Sequence, residues 1–132
     1  MDVSVGIFED EFEVRRSEPT SPWPVDTAHL ARFTLGDETL EREVLGLFTG
    51  ESPRRIEAMR RARSDKDWKM ATHTLKGSAR AVGAWRLAKV AQDAERLGGI
   101  SDQAACARAI LGVEKEAAEA EAYIKRLYPP HA

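Results

Sequence analysis

The stretch from Trp68 to Val82 leaves its backbone little choice. Trp68, Ala71, Thr72, Leu75, Ala79 and Val82 recur at steps of three and four residues, the spacing of one buried stripe on an α-helix. Lys69, His73, Lys76, Gly77 and Arg80 recur in the same way on the neighbouring face. A histidine therefore projects from a mostly polar face, with Lys76 at i+3 and Gly77 at i+4. Glycine inside a helix costs roughly 0.5–1 kcal/mol relative to alanine. A sequence that carries this cost beside an exposed histidine points to a body that must approach the imidazole closely.

The rest of the chain repeats the helical theme. Asp26 is placed to cap a short helix over about 26–34, with Leu30 and Phe33 as apolar contacts and Gly36 as its stop. Asp37 opens a longer segment with Glu38 and Glu41 in its first turn, where acids suit the helix dipole. Its expected core stripe is Leu40, Val44, Leu47, Phe48, Ile56 and Met59, interrupted by Gly50 and Pro53. Proline cannot donate a backbone hydrogen bond, so a kink or break is expected near 49–53.

Ser64 with Asp67 resembles a capping box and opens the histidine helix, expected over about 65–82, with Gly83 at its end. A further helix is expected over about 84–97, with Leu87, Val90, Ala91 and Ala94 inward and Gly98-Gly99 as terminator. Ser101 is the expected cap of a last helix over about 102–127. There Gln103, Cys106, Ile110, Val113, Ala117, Ala120, Ile124 and Leu127 form the stripe, and Pro129-Pro130 follows. Amphipathic helices with short joints and almost no strand pattern predict an all-α fold: an antiparallel up-and-down four-helix bundle with a short extra N-terminal helix.

The expected organisation is an acidic, proline-rich leader over 1–25, the bundle over 26–128 and a tail over 129–132. Three prolines between Pro19 and Pro24 oppose regular structure in the leader. Val3, Val5 and Ile7 alternate as a short strand would, and Trp23 is the leader's expected anchor on the bundle. The N-terminus lacks the basic lead and apolar core of a signal peptide, and no apolar run is long enough to cross a membrane. A single cysteine, Cys106, excludes an internal disulfide framework and fits a reducing cytoplasm. Its place in the last stripe makes it a small buried hydrophobe.

His73-Thr74-Leu75-Lys76-Gly77-Ser78-Ala79, followed by Val82-Gly83-Ala84 and Leu87-Ala88, resembles the signature of the histidine phosphotransfer (HPt) domain family. The resemblance extends outward from about Val25 to the last helix. It implies a phosphoryl carrier in a two-component phosphorelay, with His73 as phosphoacceptor, Lys76 stabilising phosphoryl charge and Gly77 giving the partner access. Family members often orient the imidazole with a Gln or Glu from the next helix. Glu95 falls at the matching position, and Gln92, one turn earlier on the same flank, is its competitor. Where some members carry a further basic residue, this chain has Gly98-Gly99, so a second positive contact would come from Arg80 or Arg96. Ser78, between the two faces, looks mainly structural in the family.

The chemistry is consistent with the residues themselves. Neutral imidazole is a good nucleophile near neutral pH, and phosphoryl transfer depends chiefly on positioning and charge stabilisation. The chain has neither G-x-x-x-x-G-K-[ST] nor G-x-G-x-x-G, so no nucleotide cradle is visible and the phosphoryl group must be received from another protein. His29, His73 and His131 are far apart and no cysteine pair exists, which leaves no metal pattern. No cofactor is expected on this chain; Mg²⁺ is expected on the partner receiver domain.

The expected partners are receiver domains of response regulators and a hybrid sensor histidine kinase. Neither nucleic acid nor a membrane is expected among them. The arginines at 54, 55, 60, 61 and 63 sit near a helix C-terminus, lack aromatic interleaving and belong to a chain of net charge −2. The last helix holds only about three heptads, so its stripe is assigned to the bundle core and the protein is expected to be a monomer. The alternative reading is a non-catalytic helical adaptor that binds a signalling partner with His73 incidental.

Overall fold

The computed structural model describes residues 22–129. The expected leader residues before 22, including the alternating Val3, Val5 and Ile7, and the tail from 130, including His131, lie outside that range. Five helices follow one another: α1 Thr27–Thr34, α2 Glu38–Arg61, α3 Asp65–Val82, α4 Trp85–Glu95 and α5 Gln103–Leu127. No strand occurs among the described residues.

Each long helix packs on the next, and α5 returns to α2, so α2 to α5 form a closed ring while α1 lies against α2 and α3. Paired residues give the directions. Trp68, at the start of α3, donates its indole N–H to the Ala94 carbonyl at the end of α4, 2.8 Å away. Tyr128, just past α5, reaches Glu41 in the first turn of α2. Both pairs join the beginning of one helix to the end of its neighbour, as an up-and-down antiparallel bundle requires. The core is Leu45, Phe48, Ile56 and Met59 of α2, the whole predicted α3 stripe, Leu87, Ala88, Ala91 and Ala94 of α4, and Cys106, Val113, Ala120 and Ile124 of α5.

Caps set most boundaries. Asp26, Asp37 and Ser64 accept hydrogen bonds from the amides of His29, Leu40 and Asp67, which satisfies donors that a helix start leaves open. Asp67 bonds the Arg63 amide rather than that of Ser64, so the capping box is shifted by one residue. The predicted Ser101 cap is replaced by Asp102, which accepts from the Ala105 amide at 3.0 Å; its carboxylate takes the position from which one side chain can reach the first free amides. α4 ends at Glu95 rather than Leu97, because Arg96 to Gly98 close tight turns onto the last carbonyls and Gly98 takes a left-handed φ of +77°.

The expected break of α2 is absent. The helix runs through Pro53 without a break. Leu45, Phe48, Ser52, Ile56 and Met59 stay in phase as one buried stripe across the proline, so packing on both sides offsets one missing backbone hydrogen bond. The stripe itself is rotated from the predicted one. Leu45 is buried, whereas Leu47 is 75% exposed and Leu40 lies at the surface. Gln103 and Leu127, at the ends of the predicted α5 stripe, are also exposed, because the ring of helices no longer covers them there.

Asp26 and Gly83 lock α1 to the α3–α4 turn. The Asp26 amide donates to the Gly83 carbonyl at 2.9 Å, and the Asp26 carboxylate accepts from the Trp85 indole at 3.0 Å. Gly83 has φ +79°, and a Cβ there would sit 2.8 Å from the Asp26 carbonyl oxygen. Both facts favour glycine. The two-residue α3–α4 connection places the end of α4 beside the middle of α3, where His73 stands.

Candidate phosphotransfer site

His73 and Glu95 come from different helices, and the antiparallel register of α3 on α4 brings them together. Once Leu75 and Ala79 are buried, His73 must lie on the outer flank of α3. Its side chain is 71% exposed. The imidazole Nδ1 lies 2.9 Å from Glu95 Oε2. The other carboxylate oxygen, Oε1, accepts from Lys76 Nζ at 2.5 Å. One carboxylate thus holds both the imidazole and the cation one turn along the same helix.

Burial acts to raise the Glu95 carboxyl pKa, but the hydrogen bonds from Lys76 and His73 and their charge outweigh it and hold it below the ordinary value. Glu95 is therefore an ionised acceptor at neutral pH, and an acceptor-only group at Nδ1 requires the proton to be on Nδ1. Nε2, on the far side of the ring, is left with its lone pair on the exposed side of the bundle. That combination, one nitrogen fixed by a partner and the other open, is an oriented nucleophile.

Gln92 does not join this group. It is buried, only 7% exposed, and makes no hydrogen bond to His73 among the described residues. Glu95 is one turn nearer the helix end, where the side chain leaves the core and reaches the flank of α3. Gly77 is exposed, and a Cβ built on it would meet nothing within 4 Å. It packs against no other helix, which removes a packing explanation for this glycine. Ser78 is half-buried and makes no side-chain hydrogen bond to another described residue. Arg96 lies 3.9 Å from Asp93 on its own helix rather than at His73, and Arg80 is half-buried in the last turn of α3. His29 is packed edge-on against Phe33 and Trp85, away from the site.

Sequence reasoning missed two features. Lys76 is only 13% exposed and is engaged by Glu95, rather than standing free beside the histidine. A shallow depression around His73 and Glu95 is lined by Lys66, Lys69 and Met70. Lys69, one turn before His73, is on the face that the sequence spacing defines, and Lys66, two turns before it on α3, continues that spacing and was the residue missed; Met70, 59% exposed, is an apolar residue at its edge. The surface offered beside the imidazole is cationic with an apolar border.

The model of the Hpt domain family matches residues 43–123, more than half of the chain. The chain belongs to the Hpt domain family. The activity of that family is histidine phosphotransfer in phosphorelays, and its members interact with receiver domains and kinases. The matched segment of this HPt domain starts within α2, ends within α5 and contains His73, Lys76, Gly77 and Glu95. No curated protein and no solved structure matches the chain. Among the described residues of the HPt domain, no helix is long and apolar enough to cross a membrane, and no group of three or more His, Cys, Asp or Glu side chains is placed to hold a metal ion.

Proposed function

We infer that this HPt protein shuttles a phosphoryl group between aspartates of receiver domains through phospho-His73. The observation that carries the reading is the His73 imidazole, 71% exposed, with Nδ1 on Glu95 and Nε2 open. The Nε2 lone pair attacks the phosphorus of a receiver aspartyl-phosphate in line, and the P–O bond breaks with its electron pair returning to the aspartate carboxylate. In the second half-reaction an aspartate of another receiver attacks the phosphorus and the pair of the N–P bond returns to Nε2.

Lys76, next to the imidazole, offsets the charge on the phosphoryl oxygens during both passages. The open space over Gly77 lets the partner's active-site loops come close to the ring. No cofactor is assigned to this chain, and Mg²⁺ belongs to the receiver. The partners are receiver domains of a hybrid sensor histidine kinase and of response regulators, and aspartyl–histidyl transfer runs in either direction between them and His73. The protein acts as a cytoplasmic monomer with a transient interface, apolar at the centre and charged at the rim.

The test is incubation of the purified protein with a phosphorylated receiver domain, following acid-labile, base-stable label, with His73→Gln alongside. Label on the wild type and none on His73→Gln is expected. With a functional donor and several receivers tried, no label on either protein would favour an adaptor that binds without phosphorylation. Label on both would place the acceptor at another residue.

A further inference from the structure

The Glu95 carboxylate has a consequence for the phosphorylated protein. When Nε2 attacks phosphorus, the ring keeps its proton on Nδ1 and so becomes cationic as the N–P bond forms. The reverse passage, to a carboxylate or to water, breaks the N–P bond and returns the electron pair to Nε2. The leaving group is then neutral imidazole with Nδ1–H, and no proton moves to or from the ring in either direction; when water is the acceptor, it gives up its own proton to the phosphate or the solvent. If Nδ1 loses its proton while Nε2 carries the phosphoryl group, the leaving group becomes imidazolate, which departs far less readily. Transferable phosphohistidine is therefore the form that retains Nδ1–H.

We propose that Glu95 sets the pH window in which the phosphoryl group on His73 can leave, by pairing its charge with Nδ1–H of the phosphorylated ring. This rests on His73 being the phosphoacceptor. The carboxylate oxygen is 2.9 Å from Nδ1, and an opposite charge at that range favours the charged form of a titrating group by about 1–3 pH units. A glutamine at the same position would accept the same hydrogen bond and keep the ring oriented, but it would bring no charge. The acid at position 95 thus does more than orient the ring: it keeps the bound phosphoryl group labile at neutral and mildly alkaline pH. Glu95 is a positioning residue with an electrostatic task.

The other charges around the ring oppose that task. Lys66 and Lys69 line the same depression on α3, and Lys76 shares the carboxylate. From α2, the other long helix on α3, Arg55 and Arg61 border a separate groove that meets the site only at Met70. α1 packs at the far end of α3, around Gly83. Glu95 is the anion bonded to His73, and Glu95→Gln leaves all of these cations in place.

The experiment needs no cognate partner. Wild type, Glu95→Gln and His73→Gln are phosphorylated with phosphoramidate, and loss of the phosphoryl group is followed by ³¹P NMR from pH 5 to 9. The expected wild-type lability persists to higher pH, with its fall-off displaced by about one pH unit or more relative to Glu95→Gln. One unit corresponds to roughly tenfold slower loss in Glu95→Gln above both midpoints, with similar rates at pH 5. Because phosphoramidate also reaches other accessible histidines, the profiles are read on the ³¹P signal that His73→Gln lacks. Coincident profiles of that signal would overturn the role of Glu95 and leave the acceptor assignment standing, whereas no signal lost in His73→Gln would remove the acceptor assignment and this proposal with it. A second measurement holds whatever phosphoramidate labels. Nitrogen-15 shifts of the unphosphorylated neutral ring are expected to place the proton on Nδ1, and a ring protonated on Nε2 would overturn the proposal.

Discussion

Lys76 Nζ and Glu95 Oε1 are 2.5 Å apart, and this contact ties α3 to α4 one turn beyond His73. Because the same carboxylate holds the imidazole, the cation, the anion and the histidine ring form one connected group. The pair is partly exposed on the glutamate side, so its contribution to stability is modest, and under the proposed function its main effect is expected on the chemistry of the ring.

Removing the cation should therefore damage transfer more than folding. Lys76→Met is expected to slow receiver-to-His73 transfer by about tenfold or more, with thermal unfolding little changed. Stopped transfer time courses and a melting curve on the same sample check both halves; equal transfer rates would remove Lys76 from the chemistry.

Glu95 also predicts an acid dependence. Its folded carboxyl titrates below the ordinary value of 4.5. A lowered folded pKa gives stability that is fully present above the unfolded value and is lost as pH falls through the folded one. Urea midpoints of the wild type should fall over that acid range more steeply than those of Glu95→Gln, which lacks the titrating group. Parallel midpoints in the two proteins would contradict the geometry.

Two glycines should respond in opposite directions to the same substitution. Gly77→Ala meets open space and is expected to raise stability by roughly 0.5–1 kcal/mol through helix propensity, while Gly77→Gln keeps the fold and slows transfer from a receiver. Gly83→Ala places a Cβ against the Asp26 carbonyl at a left-handed φ and is expected to cost about 1–3 kcal/mol. Chemical denaturation of the three variants, with transfer rates for the two at Gly77, separates access from folding.

Pro53 lies inside α2 and is exposed. Pro53→Ala restores the amide that the Thr49 carbonyl lacks and is expected to stabilise the protein by about 1–3 kcal/mol, after allowance for the freer unfolded chain. A lower melting temperature in this variant would mean that the proline shapes the packing of α2.

Glu41 joins three helices, because the Thr34 hydroxyl donates to Oε2 at 2.9 Å and the Tyr128 hydroxyl to Oε1 at 2.5 Å. The bond to Glu41, with burial and nearby negative charge, pushes the Tyr128 phenol up to about 12. A raised folded pKa contributes stability that is full below the unfolded value, about 10, and is lost as pH rises through about 12. Tyr128→Phe should flatten the alkaline limb of the stability profile, and ultraviolet titration should show one phenol fewer ionising near pH 12.

The sequence by itself determined the helical class, the number and order of the helices, and the buried stripe of α3 residue for residue, because each follows from local spacing and capping chemistry. It also put His73, Lys76 and Gly77 on one outer flank, since a single helix fixes the relation of residues three and four apart. Tertiary structure decided what required two elements at once. The rotation of α2 buries Leu45 and leaves Leu47 outside, because α3 and α5 select the face they cover. Packing on both sides of Pro53 keeps α2 whole where local chemistry predicts an interruption. The choice between Glu95 and Gln92 is of the same kind. Both lie on one flank of α4 in sequence, but only the depth and register of α4 against α3 put Gln92 in the core and the Glu95 carboxylate on the imidazole.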